Sequence, residues 1–185
     1  MKKLLALLTL MLSLLSLPLT AGAERSGWKS SAFPFKKLKV VYLKTLVRQD
    51  DAYRKANPQY VQDDDAVRKT YLTLVRDLKN KGVTVYNNPV MLEDKKLRHT
   101  ITLEVGVNQV GLVAPAPEQA AETAKKKKNA PQGTACASLT MVATKNGETI
   151  YQLQDDRTSD KYSSDALLAS IIRDAAKDLT KNAKK

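Results

Sequence analysis

RHTITLEVGVNQVGLV, residues 98–113, is the longest strand-like stretch of the chain. Ile101, Leu103, Val105 and Val107 alternate with Thr100, Thr102, Glu104 and Gly106. A period of two places alternate side chains on opposite faces, so this reads as a strand with one buried side. After Asn108-Gln109 the apolar positions change phase to Val110 and Leu112. One extra residue there, a β-bulge, would return both to the core face. Gly106 and Gly111 suit a bend or a close backbone approach. The rest of the chain is expected to pair with this strand or pack on it.

Outward to the N-terminus, Lys2 and Lys3 precede an apolar run, Leu4 to Leu17, then Pro18 and Ala21-Gly22-Ala23. That is the plan of a secretory signal peptide, residues 1–23, with cleavage after Ala23. The run is short of the ~20 apolar residues that a spanning helix needs. No Cys lies near the cleavage site to carry a lipid. Removing 23 of the 185 residues leaves 162, one domain able to bury its own core. The formal charge of +12 falls to +10 with the two leader lysines gone. A basic exported protein meets lipid headgroups and anionic envelope polymers. The lone Cys136 excludes an intramolecular disulfide, so stability must come from the core.

Residues 24–35 read as an extended arm carrying Trp28, Phe33 and Phe35, followed by a single α+β domain over 36–185. Lys36–Val47 is the first strand, and Arg48–Gln62 is a long connection with room for a short helical turn. Asp63–Lys81 is a helix whose Val67, Tyr71, Leu74, Val75 and Leu78 share one face. Its three leading aspartates suit the N-terminus, and Gly82 is a natural left-handed cap. Val83–Tyr86 is a short strand, stopped by Asn87-Asn88-Pro89, and Glu93–Lys96 is a charged turn. Ala114–Gly133, rich in Pro, Ala and Lys, is a loop between two strands. Thr134–Lys145 and Glu148–Leu153 flank Asn146-Gly147, a strong hairpin signal because both central residues of a type I′ turn need positive φ. A last helix, capped by Ser163 or Ser164, buries Leu168, Ile171, Ile172, Ala175 and Leu179.

The order β-α-β-β-β-β-α predicts an α+β fold: a mixed sheet of four to five strands with two helices on one face. The helix between the first two strands implies a parallel crossover. The helix end LVRDLKNKGVTVY, the NGETIY hairpin and the closing amphipathic helix resemble a group of small envelope modules. These are the N-terminal domain of the Tol-Pal translocation protein, the activator lipoproteins of penicillin-binding proteins, and the periplasmic part of the curli-secretion channel. What the resemblance implies is a non-catalytic adaptor role in the envelope.

Chemistry has little to work with. His99 is the only His and opens the central strand. Cys136 alternates with Ser138 and Thr140, as a small buried thiol would. Asp63-Asp64-Asp65 lacks the alternation and Gly turn of a calcium loop, and capping is the simpler role. Ser26-x-x-Lys29, Ser159-Asp160 and Lys145-x-Gly147 imitate the motifs of penicillin-recognising enzymes, in the wrong order and with Ser26 near the mature terminus. No cofactor or metal site and no catalytic residue is expected. The best functional feature is the run Lys125, Lys126, Lys127 and Lys128, a solvated loop or a contact for anionic lipid or envelope polymer. Nucleic acid is not expected, because no aromatic residues interleave with the lysines to stack on bases. The expectation is an exported, periplasmic or secreted, non-enzymatic domain acting through envelope protein partners. Polyanion binding through the basic loop and an enzyme of unrecognised type are the alternatives.

Overall fold

The computed structural model describes residues 23–47, 60–87, 99–114 and 133–182. At its centre stands β5, Thr100–Val113. Ile101, Leu103, Val105 and Val107 are buried on one face, as their spacing predicts. Val107 pairs with Leu139 and Gln109 with Ser138, leaving Asn108 as the extra residue of a bulge. The bulge returns Val110 to the core, where it is 1% exposed. Leu112 differs from expectation at 39% exposed. The backbone N–H of Asp63, just before the first helix, bonds the Val110 carbonyl at 2.8 Å. Helix cover therefore starts level with Val110, and Leu112 lies beyond it.

The strands are β1 (Ala23–Lys29), β2 (Val40–Val47), β3 (Tyr60–Gln62), β4 (Thr84–Tyr86), β5, β6 (Thr134–Lys145) and β7 (Glu148–Ser159). They form a seven-stranded mixed sheet in the order β1-β7-β6-β5-β2-β4, with β3 on β5 beyond the end of β2. The fold class stands, with more strands than expected. Of the arm read in 24–35 as extended, the part up to Lys29 is an edge strand paired with β7, and the rest bends into the 3-10 turn that starts at Phe35. β3 lies within the stretch read as a connection. β7 runs on six residues past Leu153, the end expected for it. β2 is parallel to both its neighbours, β4 and β5, so the parallel crossover is present. From β5 onward the sheet is antiparallel. Asn146 and Gly147 have φ of 53° and 83°, the turn their identity demands.

β2 begins at Val40 because Pro34 and a 3-10 turn, Phe35–Lys37, precede it. That turn tucks Phe33 and Phe35 into the core, edge to face at 4.7 Å. At the other end of the same edge of β5, the buried Tyr60 hydroxyl donates to the Val110 carbonyl at 2.6 Å and accepts from its N–H at 2.7 Å. One side chain thus satisfies backbone groups that would be costly to bury unpaired. Gly111 is required here: a Cβ would lie 1.8 Å from the Val61 carbonyl oxygen of β3.

The helices are α1, Asp64–Lys79, and α2, Ser164–Leu179. Asp63 caps α1, its Oδ1 accepting from the Ala66 N–H at 2.9 Å. Gly82, φ 76°, reverses the chain after it. Ser163 holds the cap position of α2, although its hydroxyl donates to Asp165 and accepts no capping bond from the helix backbone. Leu74 and Leu78 of α1 and Ile171, Ile172 and Leu179 of α2 are fully buried against one face of the sheet. Each such side chain contributes about 1.5–3 kcal/mol relative to exposure. The helices start side by side, the Ser164 hydroxyl donating to Asp63 Oδ2 at 3.2 Å.

Candidate interaction surfaces

Because α1 and α2 cover one face, the other face of the sheet is open, and the strand register fixes what it displays. Glu104, Val142, Gln152 and Trp28 form one row across β5, β6, β7 and β1. Gly106, Thr140, Gln154 and Ser26 form the next. The bulge residue Asn108 donates to the Ser138 hydroxyl at 3.3 Å and accepts from Thr140 at 3.2 Å. Lys44 and Glu104 pair at 2.8 Å with both side chains largely in solvent. Such a pair contributes little. Trp28 is 52% exposed, and Tyr42 and Tyr86 lie with ring centroids 6.1 Å apart. The result is a polar surface that carries Lys44, Glu104, Asp156 and Glu24, with aromatics towards both sides.

On the helix side, β1 and β7 meet α2 through charge. Asp155, 0% exposed, receives Arg157 through Nε and Nη2, each at 2.8 Å, and Arg25 lies 3.6 Å away. Arg157 also donates to Asp174 at 2.9 Å and Ser170 at 2.8 Å. Hydrogen bonds from Asp155 outweigh burial and push the Arg157 guanidinium further up, so it stays charged. Lys29 contacts Asp178 and sits 4.4 Å from the centroid of the Phe35 ring. Burial pulls its ammonium down and Asp178 opposes the shift. The buried Tyr151 hydroxyl makes no hydrogen bond, and burial first, then the Asp178 carboxylate, push its ionisation up. This arrangement is a structural latch: every charge in it faces a partner in the same cluster.

The residues singled out from sequence do not converge. The run Lys125–Lys128 lies outside the described residues, as does the expected leader up to residue 22; Ala23 opens β1. His99 stands before β5, its carbonyl accepting from the Lys39 N–H at 3.1 Å while Nδ1 is buried without a hydrogen bond. Asp64 and Asp65 are tied locally, to Gln62 at 2.6 Å and Arg68 at 2.9 Å. Ser26 and Lys29, three apart on a strand, point to opposite faces. Ser159 and Lys145 sit at opposite ends of the β6–β7 ladder, about 35 Å apart at ~3.3 Å per residue. Among the described residues no group of three or more His, Cys, Asp or Glu could hold a metal ion, and no helix is long and apolar enough to cross a membrane.

Cys136 is buried, its thiol 3.4 Å from the Gly111 carbonyl. Burial pushes its ionisation from 9.0 up to about 12. The folded protein should therefore react with a thiol reagent at pH 8 far more slowly than the urea-unfolded chain. An acid whose folded value is raised favours the folded state below its unfolded value. That contribution should be lost as pH rises from about 9 towards 12. Melts of wild type against Cys136→Ser across that window measure it, the serine variant lacking this part of the alkaline decline.

No protein-family model matches the sequence, and no curated protein does. Solved structures do. The PelC dodecamer from Paraburkholderia phytofirmans matches in two crystal forms with TM-score 0.53 and 12% identity, over 88% of this chain and 100% of that one. The fold is similar to that of PelC. At 12% identity the likeness concerns the fold alone. A DUF4136 family protein from Bacteroides thetaiotaomicron covers 89% of this chain and 100% of its own at 10% identity, but its TM-score of 0.42 carries no argument. The PelC matches support a small α/β module. They do not support the Tol-Pal, penicillin-binding-protein activator or curli-channel modules that the element order resembles.

Proposed function

We propose that the chain is an exported, non-enzymatic cell-envelope domain that works through protein contacts. The open sheet face is its contact surface, and a second copy of the chain is its first partner. The observation that carries this reading is the one-sided cover of the sheet. Six strands at ~4.8 Å spacing and about nine residues each at ~3.3 Å give an open face on the order of 900 Å². A standard interface takes ~800 Å² from each partner. The face bears Trp28, Tyr42 and Tyr86, residue types that anchor interfaces. PelC, whose fold is similar, is described as a dodecamer, which supports self-association here. The leader sequence supports export, and the scattering of His99, Cys136, Ser26 and Lys29 supports a role without catalysis.

Light scattering on the chain beginning at Glu24 tests the reading. The expected mass is a multiple of one chain, reduced by Trp28→Asp combined with Gln154→Arg while the melting temperature is retained. A monomer at every concentration, or an assembly indifferent to both substitutions, would end the self-association reading.

A further inference from the structure

The two ends of the molecule differ in charge, and this follows from the topology. β2, β4 and β5 start at the end where β1 and β6 finish. Both helices finish there too. The Val83 N–H after α1 bonds the Leu78 carbonyl at 3.1 Å, and Asn182 after α2 accepts from the Lys36 N–H at 2.9 Å. That end gathers Lys36, Lys37 and Lys39 before β2, Lys79 and Lys81 around the end of α1, and Lys177 and Lys181 around the end of α2. All seven are exposed, and none forms an ion pair among the described residues. The acids nearby among the described residues are Asp77 in the last turn of α1, held by Arg76 at 3.1 Å, Glu148, paired in register with Lys145 across the hairpin, and Asp178, already held by Lys29 and Arg25. At the opposite end, Asp63, Asp64, Asp65 and Asp165 surround the helix starts and Asp160 follows β7.

We propose that the basic end docks on a membrane surface bearing anionic lipid headgroups, with helices and strands standing along the membrane normal. Helix dipoles account for only part of the cluster, since they favour cations in the last turns of α1 and α2. Lys36, Lys37 and Lys39 precede a strand, where no dipole calls for them. Neither a fold requirement nor an internal partner explains them. The cations are lysines throughout, hydrated point charges suited to headgroups and lacking the planar fork of arginine that reads one ligand. They spread over both layers of the fold, about 24 Å along the sheet edge and ~10 Å from sheet to helices. That is a pad for a surface and is too broad for a groove holding a single polymer strand. Val113 and Thr134, between which the run Lys125–Lys128 falls in the sequence, pair at the acidic end. The two ends are separated by the ~35 Å length of the β6–β7 ladder, well beyond a Debye length of ~10 Å.

Co-sedimentation with mixed phosphatidylglycerol–phosphatidylcholine vesicles, against pure phosphatidylcholine, tests the assignment. The chain beginning at Glu24 should bind the anionic vesicles at low salt, release at high salt, and ignore the neutral ones. Replacing Lys36, Lys37, Lys79 and Lys81 with Glu should lower binding by roughly two orders of magnitude or more. Replacing the same four with Arg should retain it. Should the Glu variant melt early, the corresponding Gln variant carries the test, with a smaller loss. Replacing Lys125 to Lys128 with Gln should leave binding as in wild type. Wild type that ignores anionic vesicles, equal binding to both lipids, or loss only in the Lys125–Lys128 variant would overturn the proposal.

Discussion

Leu103→Asp is expected to remove the cooperative unfolding transition, and Glu104→Lys to shift it by no more than a few degrees. The two residues are neighbours on β5 and differ only in the face they occupy. Leu103 is 0% exposed, in the core under α1 and α2. A carboxylate there has no hydrogen-bond donor waiting and displaces a buried apolar side chain. Loss of the leucine costs about 2–5 kcal/mol through transfer and cavity terms. An unpaired polar group adds several more. Together these rival the whole stability of a domain, about 5–15 kcal/mol. Glu104 has a side chain 49% exposed and loses only its surface pair with Lys44. Thermal melts by circular dichroism separate the two, and similar midpoints would refute the register on which every face assignment rests.

Asp155→Ala is expected to cost about 3–5 kcal/mol, because it removes the anion from a buried pair and leaves the cation behind. Arg157 would keep Asp174 and Ser170 but lose both bonds to Asp155, and Arg25 would lose one of its two carboxylates. At ~2–4 °C per kcal/mol for a domain of this size, the melting temperature should fall by roughly 6–20 °C. β1 is held to α2 largely through this cluster, so the loosened strand should also exchange its amide hydrogens faster. Asp156→Ala is the control. Asp156 lies on the open face and accepts from Gln154 at 2.9 Å, so its loss should stay within about 0.5 kcal/mol. Equal effects from both aspartates would mean that the latch does not hold the edge strand.

Features encoded by neighbouring residues could be read without coordinates. The phase change at Asn108-Gln109 announced the bulge, Asn146-Gly147 the hairpin, Asp63 and Gly82 the limits of α1. In each case the signal and the structure lie within a few residues. The strands on the β1 side of the sheet were harder. AERSGWK and the far half of β7, QDDRTS, are polar because each faces a charged latch on one side and the open face on the other. No apolar alternation marks them. Gly27 also hid β1: it resembles a breaker, yet a Cβ there would press the Gln152 carbonyl at 2.9 Å. One clue to the latch was present, since Ser170, Asp174 and Asp178 recur every four residues on α2, beside its apolar stripe. The basic end could not be read along the chain. Its lysines come from three separate places in the chain, whereas the run Lys125–Lys128 is contiguous in sequence.

The central claim is that the open sheet face is where this protein meets its partner, and site-directed thiol labelling reads it directly. Cys136 is buried, so an introduced cysteine gives the signal. Gln154→Cys reports on the open face, and Leu72→Cys on the outer side of α1, where Leu72 is 66% exposed. In concentrated, assembled samples the account predicts slowed maleimide labelling at position 154 and an unchanged rate at position 72. Protection at position 72 with position 154 left fully reactive would contradict it.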